Sequence, residues 1–181
     1  MLEDRLLLWR FKSGNRDAFR VIYEKYAGDL LTLAANLLDD RSAAEDVVQD
    51  VFISFVKSVE KIRLRGSIKG YLTTCVANRS RDYIRKKNRQ RTVAVNEAEQ
   101  ITSNEPSPVQ LVICSEELQK LSSAMLQLPY GQREAIILRL HGDMKFRQIA
   151  KFQNISVKTA LSRYRYGLDK LRSILDGEVR K

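Results

Sequence analysis

Residues 146–172 read "FRQIAKFQNISVKTALSRYRYGLDKLR", and this stretch decides the fold of the C-terminal half. Ile149 and Ala150 fall on a short helix, where the small Ala150 lets a second helix approach closely. Asn154 stands where the chain leaves that helix through the left-handed region; glycine is commonest there and asparagine next. Ser156 then caps a second helix, whose Ala160, Tyr164, Leu168 and Leu171 share an inward face at helical spacing. Lys158, Thr159, Ser162 and Arg163 gather on its outer N-terminal turns, with Tyr166 one turn further on. This is helix–turn–helix shape, and a recognition helix reads the major groove from those turns. An αα-hairpin with no DNA partner has the same pattern, so the rest of the chain must weigh in.

The rest of the chain is basic. Over 181 residues the formal net charge is +10, the pI is near 9.7 and 30% of residues are charged, a balance that favours a polyanionic partner. No apolar run approaches the roughly 20 residues needed to cross a membrane. The N-terminus, "MLEDRLLLWRFKSG", places acids before a short apolar patch and lacks a small-residue cleavage site, so it does not read as a secretion signal. Cys75 and Cys114 stand far apart outside any CxxC pattern and read as small buried hydrophobes. A cytoplasmic protein is the expectation. His141 is the one histidine and sits at a helix C-terminus, where the dipole favours it. No metal-ligand cluster, phosphate-binding glycine loop or nucleophile motif is present. The expectation is therefore a protein without enzymatic activity, cofactor or metal.

Charge divides the chain in three. Residues 1–95 carry net +7 and residues 115–181 net +6, whereas 96–114 hold three Glu and no cation. That middle piece, "NEAEQITSNEPSPVQLVIC", also clusters Pro, Ser and Asn as a linker does. Only eight Gly and three Pro interrupt the sequence, and no long alternating strand pattern occurs. The expected fold is all-α: two small helical domains, 1–92 and 115–181, joined by a flexible acidic linker at 93–114. Helices are expected at 2–12, through 19–38, from about 42 onward, from 67 to about 89, and near 109–127, 130–141, 144–152 and 157–175.

Two neighbouring stretches of the first half have opposite character. "DDRSAAEDVVQD", 39–50, carries five carboxylates and one arginine. Ser42 followed by Glu45 is a capping-box signature that starts a helix there. Val47, Val48, Val51, Phe52, Phe55, Val56 and Val59 form its apolar stripe, and Asp46, Gln49, Asp50 and Ile53 its outer face. An ordinary solvated face fits this pattern, since acids near a helix N-terminus also suit its dipole; the isoleucine within it is the feature that points toward a protein partner. Between 61 and 91 the balance reverses, with 11 Lys/Arg against one acid, Asp82. A loop with Arg63, Arg65 and Gly66 leads to Lys69, Tyr71 and a helix capped by Ser67. On that helix Leu72, Val76, Ser80 and Tyr83 face a core, while Asn78, Arg81, Asp82 and Arg85 lie outside. Cations that track phosphates, beside rings that stack on splayed bases, suit single-stranded nucleic acid; Tyr71 equally suits a core position.

Taken in order, "AAEDVVQDVFISFV", "GYLTTCVANRSRDYIRKK" and "LPYGQREAIILRLHGDMKFRQIAKFQNISVKTALSRYRYGLDKLR" resemble bacterial RNA polymerase sigma factors of the extracytoplasmic-function (ECF) group. The resemblance implies that the first domain docks on the polymerase clamp helices through Asp46, Gln49, Asp50 and Ile53. It implies that Arg63, Arg65, Lys69, Tyr71, Asn78, Arg81 and Arg85 open and hold the minus-ten element. Lys158, Thr159, Ser162, Arg163 and Tyr166 would read the minus-thirty-five element, with the second domain on the polymerase flap and the linker threaded toward the RNA exit path. Core polymerase and promoter DNA are the implied partners, an anti-sigma factor is a further candidate, and no membrane is involved. Three positions depart from the family pattern: Tyr71 replaces the usual Trp, Asn154 the turn glycine, and Leu161 a common cation. The rival reading is a stand-alone helix–turn–helix regulator that binds duplex operator without polymerase. It would need a symmetric pairing surface.

Overall fold

The computed structural model describes residues 2–38, 40–64, 66–94 and 116–179, all helical or connecting. The expected linker therefore lies almost wholly outside the described residues, and Cys114 with it. Four helices build the first half: α1 (Leu2–Lys12), α2 (Arg16–Leu38), α3 (Arg41–Ser58) and α4 (Ile68–Ala94), with one 3-10 turn at Val59–Lys61. Four more build the second: α5 (Glu116–Leu126), α6 (Tyr130–Leu140), α7 (Phe146–Gln153) and α8 (Val157–Val179).

Helix α2 is the axis of the first half, because its apolar residues recur every three or four positions. Ile22, Leu30, Leu33 and Leu37 are essentially solvent-free against Val51 and Phe55 of α3 and Leu72 and Val76 of α4. Phe11 bridges Phe19 and Phe55 at ring distances of 5.3 and 5.9 Å, which docks α1 on the bundle. Helix α1 also carries a buried acid. The Asp4 carboxylate accepts from the Tyr26 hydroxyl at 2.7 Å and from the Ile68 amide at 2.9 Å. An acid from 64 residues away thus satisfies an orphan donor at the positive end of α4. Burial, and then the bond to Asp4, raise the Tyr26 phenol above its ordinary pKa.

Local signals placed most helix ends. Ser67 accepts from the Gly70 amide at 3.1 Å and Ser156 from the Thr159 amide at 3.0 Å, as N-caps do. The capping-box expectation at 42–45 is corrected. The cap is Asp40, whose side chain accepts from Ala43 at 3.0 Å, and Glu45 pairs with Arg41 instead. An aspartate two residues earlier outcompetes the serine, since its charge also suits the helix dipole. Val56 is likewise corrected: it is exposed, because it has turned past the edge of the stripe that buries Val51 and Phe55. Tyr23 on α2 is exposed as well, although its ring lies 4.8 Å from Phe52.

In the second half α7 ends as the sequence implies. Asn154 takes φ 55°, ψ 49°, and the Ile155 amide bonds back to the Ala150 carbonyl at 3.0 Å. Ala160 is fully buried and Tyr164 packs edge-on against Phe146 at 5.4 Å. Gly167 sets the closeness of α8 to α6, since a Cβ there would meet Ile136 Cδ1 at 2.8 Å. The two halves also pack together, with α2 against α6 and Arg81 of α4 reaching α6 and α7, and Leu138, Met144 and Ile149 belong to the same apolar cluster as Leu37 and Val76.

Candidate nucleic-acid interface

Helix α3 presents Asp46, Gln49, Asp50 and Ile53 to solvent together, with Ile53 44% exposed. Val56 extends this face by another apolar side chain. The face touches the basic helix directly. Arg79 of α4 binds Asp50 Oδ2 at 2.7 Å and donates to Ser54 Oγ at 2.8 Å. A partner for α3 therefore meets an acid already held by a cation of the adjoining surface. Beside this pair a cavity of about 220 Å³ opens between α3 and α4, walled by Phe55, Tyr71, Cys75, Asn78 and Arg79. Burial pushes the Cys75 thiol and the Tyr71 phenol above their ordinary pKa values, so both stay protonated near neutrality.

The expected minus-ten residues divide into five groups. Arg63, Asn78 and Arg85 are exposed, and Arg85 lies 3.8 Å from Asp82. Lys69 is half-buried and paired with Asp29 at 2.6 Å. Tyr71 packs its ring 6.1 Å from Phe55, a partly core position from which its edge reaches the cavity. Arg65 lies outside the described residues. The expectation that Arg81 lies outside is corrected. Its side chain is 22% exposed and enters the second half, where it binds Glu134 Oε2 at 2.7 Å and the Phe152 carbonyl at 3.0 Å.

On α8, Lys158, Thr159 and Tyr166 are exposed, Tyr166 by 65%. Ser162 and Arg163 are half-buried, and Arg163 donates to Gln153 Oε1 at 3.0 Å. Leu161 is 40% exposed on the same N-terminal turns. Two charged residues of consequence escaped the sequence reading. Arg79 gains meaning only from Asp50 on another helix, and Glu134 only from Arg81 in the other half. An acid set just before the apolar run "AIIL" is the signal the sequence offers for Glu134, which the structure buries. Among the described residues no helix is long and apolar enough to cross a membrane, and no group of His, Cys, Asp and Glu could hold a metal.

Comparison with known proteins fits both halves. Residues 22–90 match Sigma-70 region 2 and residues 118–171 match Sigma-70 region 4. The RNA polymerase sigma factor CarQ of Myxococcus xanthus is 28% identical over 170 residues, 94% of this chain and 95% of CarQ. The ECF RNA polymerase sigma factor SigX of Bacillus subtilis is 27% identical over 176 residues, covering 91% of each. The chain belongs to the ECF sigma factors. A sigma factor binds core RNA polymerase and directs transcription initiation at promoters, so the acidic and basic faces belong to one initiation factor. Solved structures share this sigma fold. The sigma factor RpoE of Bartonella quintana, in complex with the anti-sigma factor NepR, gives a TM-score of 0.70 at 23% identity over 87% of this chain and 96% of that one. CnrH, in complex with the cytosolic domain of CnrY, gives 0.69 at 23% over 97% and 98%.

Proposed function

We propose that this sigma factor divides its work among three surfaces. Asp46, Gln49, Asp50 and Ile53 dock on the polymerase clamp helices. Arg63, Arg65, Lys69, Tyr71, Asn78, Arg81 and Arg85 hold the minus-ten element as single strand. Lys158, Thr159, Ser162, Arg163 and Tyr166 read the minus-thirty-five element in the major groove while the second domain rests on the flap. Residues 1–92, 93–114 and 115–181 act as docking and melting domain, linker and upstream-reading domain. The observation that carries this reading is the Asp50–Arg79 contact, which joins an exposed acidic face to a basic helix within one small domain. Like charges would repel polymerase and DNA from the same patch; opposite faces on adjoining helices let both bind at once. The protein works in the cytoplasm, where its polymerase is, and performs no catalysis of its own. An anti-sigma factor is a fitting regulator, since RpoE and CnrH were each solved with a protein partner.

Run-off transcription with purified bacterial core polymerase and genomic fragments tests the reading. Specific start sites that appear only when this protein is added are the expected result. Tight sequence-specific binding to duplex DNA without polymerase would instead favour a stand-alone regulator.

A further inference from the structure

Glu134 is 1% exposed and is the one described carboxylate that meets cations of both DNA-reading surfaces, Arg81 directly and Arg163 through Gln153. Arg81 Nη2 lies 2.7 Å from its Oε2, and the Gln153 amide donates to the same oxygen at 2.8 Å. The Tyr130 hydroxyl donates to Oε1 at 3.0 Å. The far side of the Arg81 guanidinium covers the Phe152 ring, 4.2 Å from its centroid, and Nη1 donates to the Phe152 carbonyl. Arg81 is thus gripped on its edge and its face by the second half of the chain.

The surrounding surfaces are shaped for this contact. Thr73, Ala77 and Ser80 form a fully buried small-residue stripe at helical spacing on α4, and Arg81 follows it. Across from the stripe stands Gly142, where a Cβ would come within 2.8 Å of Thr73 Cγ2. Arg133 of α6 reaches back to the Leu37 carbonyl at 3.4 Å. Yet Thr73 Oγ1, Ser80 Oγ and Arg133 Nε are buried without a protein partner. Tight packing combined with unmatched polar atoms suits a surface that must also separate.

We propose that Glu134 is an autoinhibitory latch: it holds the two domains closed and keeps Arg81 from DNA until promoter phosphates and polymerase draw it away. This rests on the reading of α4 as the minus-ten helix, because a guanidinium inside the second domain cannot at the same time face a phosphate. The pair is sheltered enough to resist salt better than an exposed one. Opening exposes Glu134 to water, which removes the need for a buried counter-charge.

The test uses the full chain with three variants: Glu134→Gln, Arg81→Glu, and the double exchange Arg81→Glu with Glu134→Arg. Small-angle scattering of the wild type should give a radius of gyration near that of one compact body of this length, about 16 Å. Each single variant should be larger, and the double exchange should return toward the wild type. Circular dichroism should show unchanged helix content throughout; if Glu134→Gln loses helix, Phe152→Ala replaces it as the opening variant. Binding of a single-stranded minus-ten oligonucleotide should tighten about tenfold in Glu134→Gln if nine-tenths of wild-type molecules are closed. An extended wild type, or a double exchange as open as the singles, overturns the latch. An opened variant that retains Arg81, Glu134→Gln or Phe152→Ala, with unchanged oligonucleotide affinity overturns the masking of Arg81. Neither result touches the sigma assignment, which the run-off assay tests alone.

Discussion

At the turn between α7 and α8, Asn154 holds a left-handed backbone that costs most residues about 1–2 kcal/mol. Asn154→Ala should therefore lower stability by about 1 kcal/mol, while Asn154→Gly should be neutral or slightly stabilising; urea midpoints at constant slope check both. Tyr130 makes a second residue-scale prediction. Burial first, and then the neighbouring Glu134 charge, raise its phenol above the ordinary tyrosine value. The folded state therefore keeps a proton that the unfolded chain releases near pH 10, so stability falls as pH rises through and beyond that point. Tyr130→Phe should show a shallower loss of urea resistance between pH 9 and about 11 than the wild type. An equal loss in both proteins would mean that Tyr130 does not contribute to it.

Helices α3 and α4 show what a sequence can and cannot reveal about a surface. The acidic face of α3 was legible because Asp46, Gln49, Asp50 and Ile53 recur at helical spacing opposite a valine-rich stripe. Ser156, Asn154 and Ala160 gave the helix–turn–helix for the same reason, since caps, turns and close packing act over a few residues. Arg79 and Arg81 look alike in "NRSRDY", yet one pairs across to α3 and the other enters the second domain. Nothing local distinguishes them; a difference of two positions on one helix chooses the neighbour. Asp50→Arg should abolish polymerase binding in a pull-down with core enzyme while leaving the helical spectrum intact. Arg79→Ala is the control. An exposed pair of this kind contributes about 0–1 kcal/mol to folding, so its loss should cost little stability. If Asp50→Arg forms holoenzyme at wild-type affinity, α3 is not the dock. On α8, Arg163→Ala should weaken upstream promoter footprints several-fold more than polymerase affinity. Equal losses would contradict the separation of the two tasks.

Across the whole molecule, two small helical domains and their all-α character are readable from periodicity and charge, whereas their arrangement is left open. Their common apolar cluster is not readable, because Leu37, Leu138 and Ile149 are each ordinary core residues for their own helix. The buried Asp4 carries a related consequence. The region 2 match begins at residue 22, so α1 lies outside it, yet the Ile68 amide at the start of α4 depends on Asp4. A fragment trimmed to the match would leave that amide and the Tyr26 hydroxyl without their acceptor. In hydrogen–deuterium exchange the Ile68 amide should be slow in the full chain and fast in the fragment. On the proposed reading of α4 as the minus-ten helix, removal of α1 would then register as a promoter-melting defect, although no residue of α1 need touch DNA.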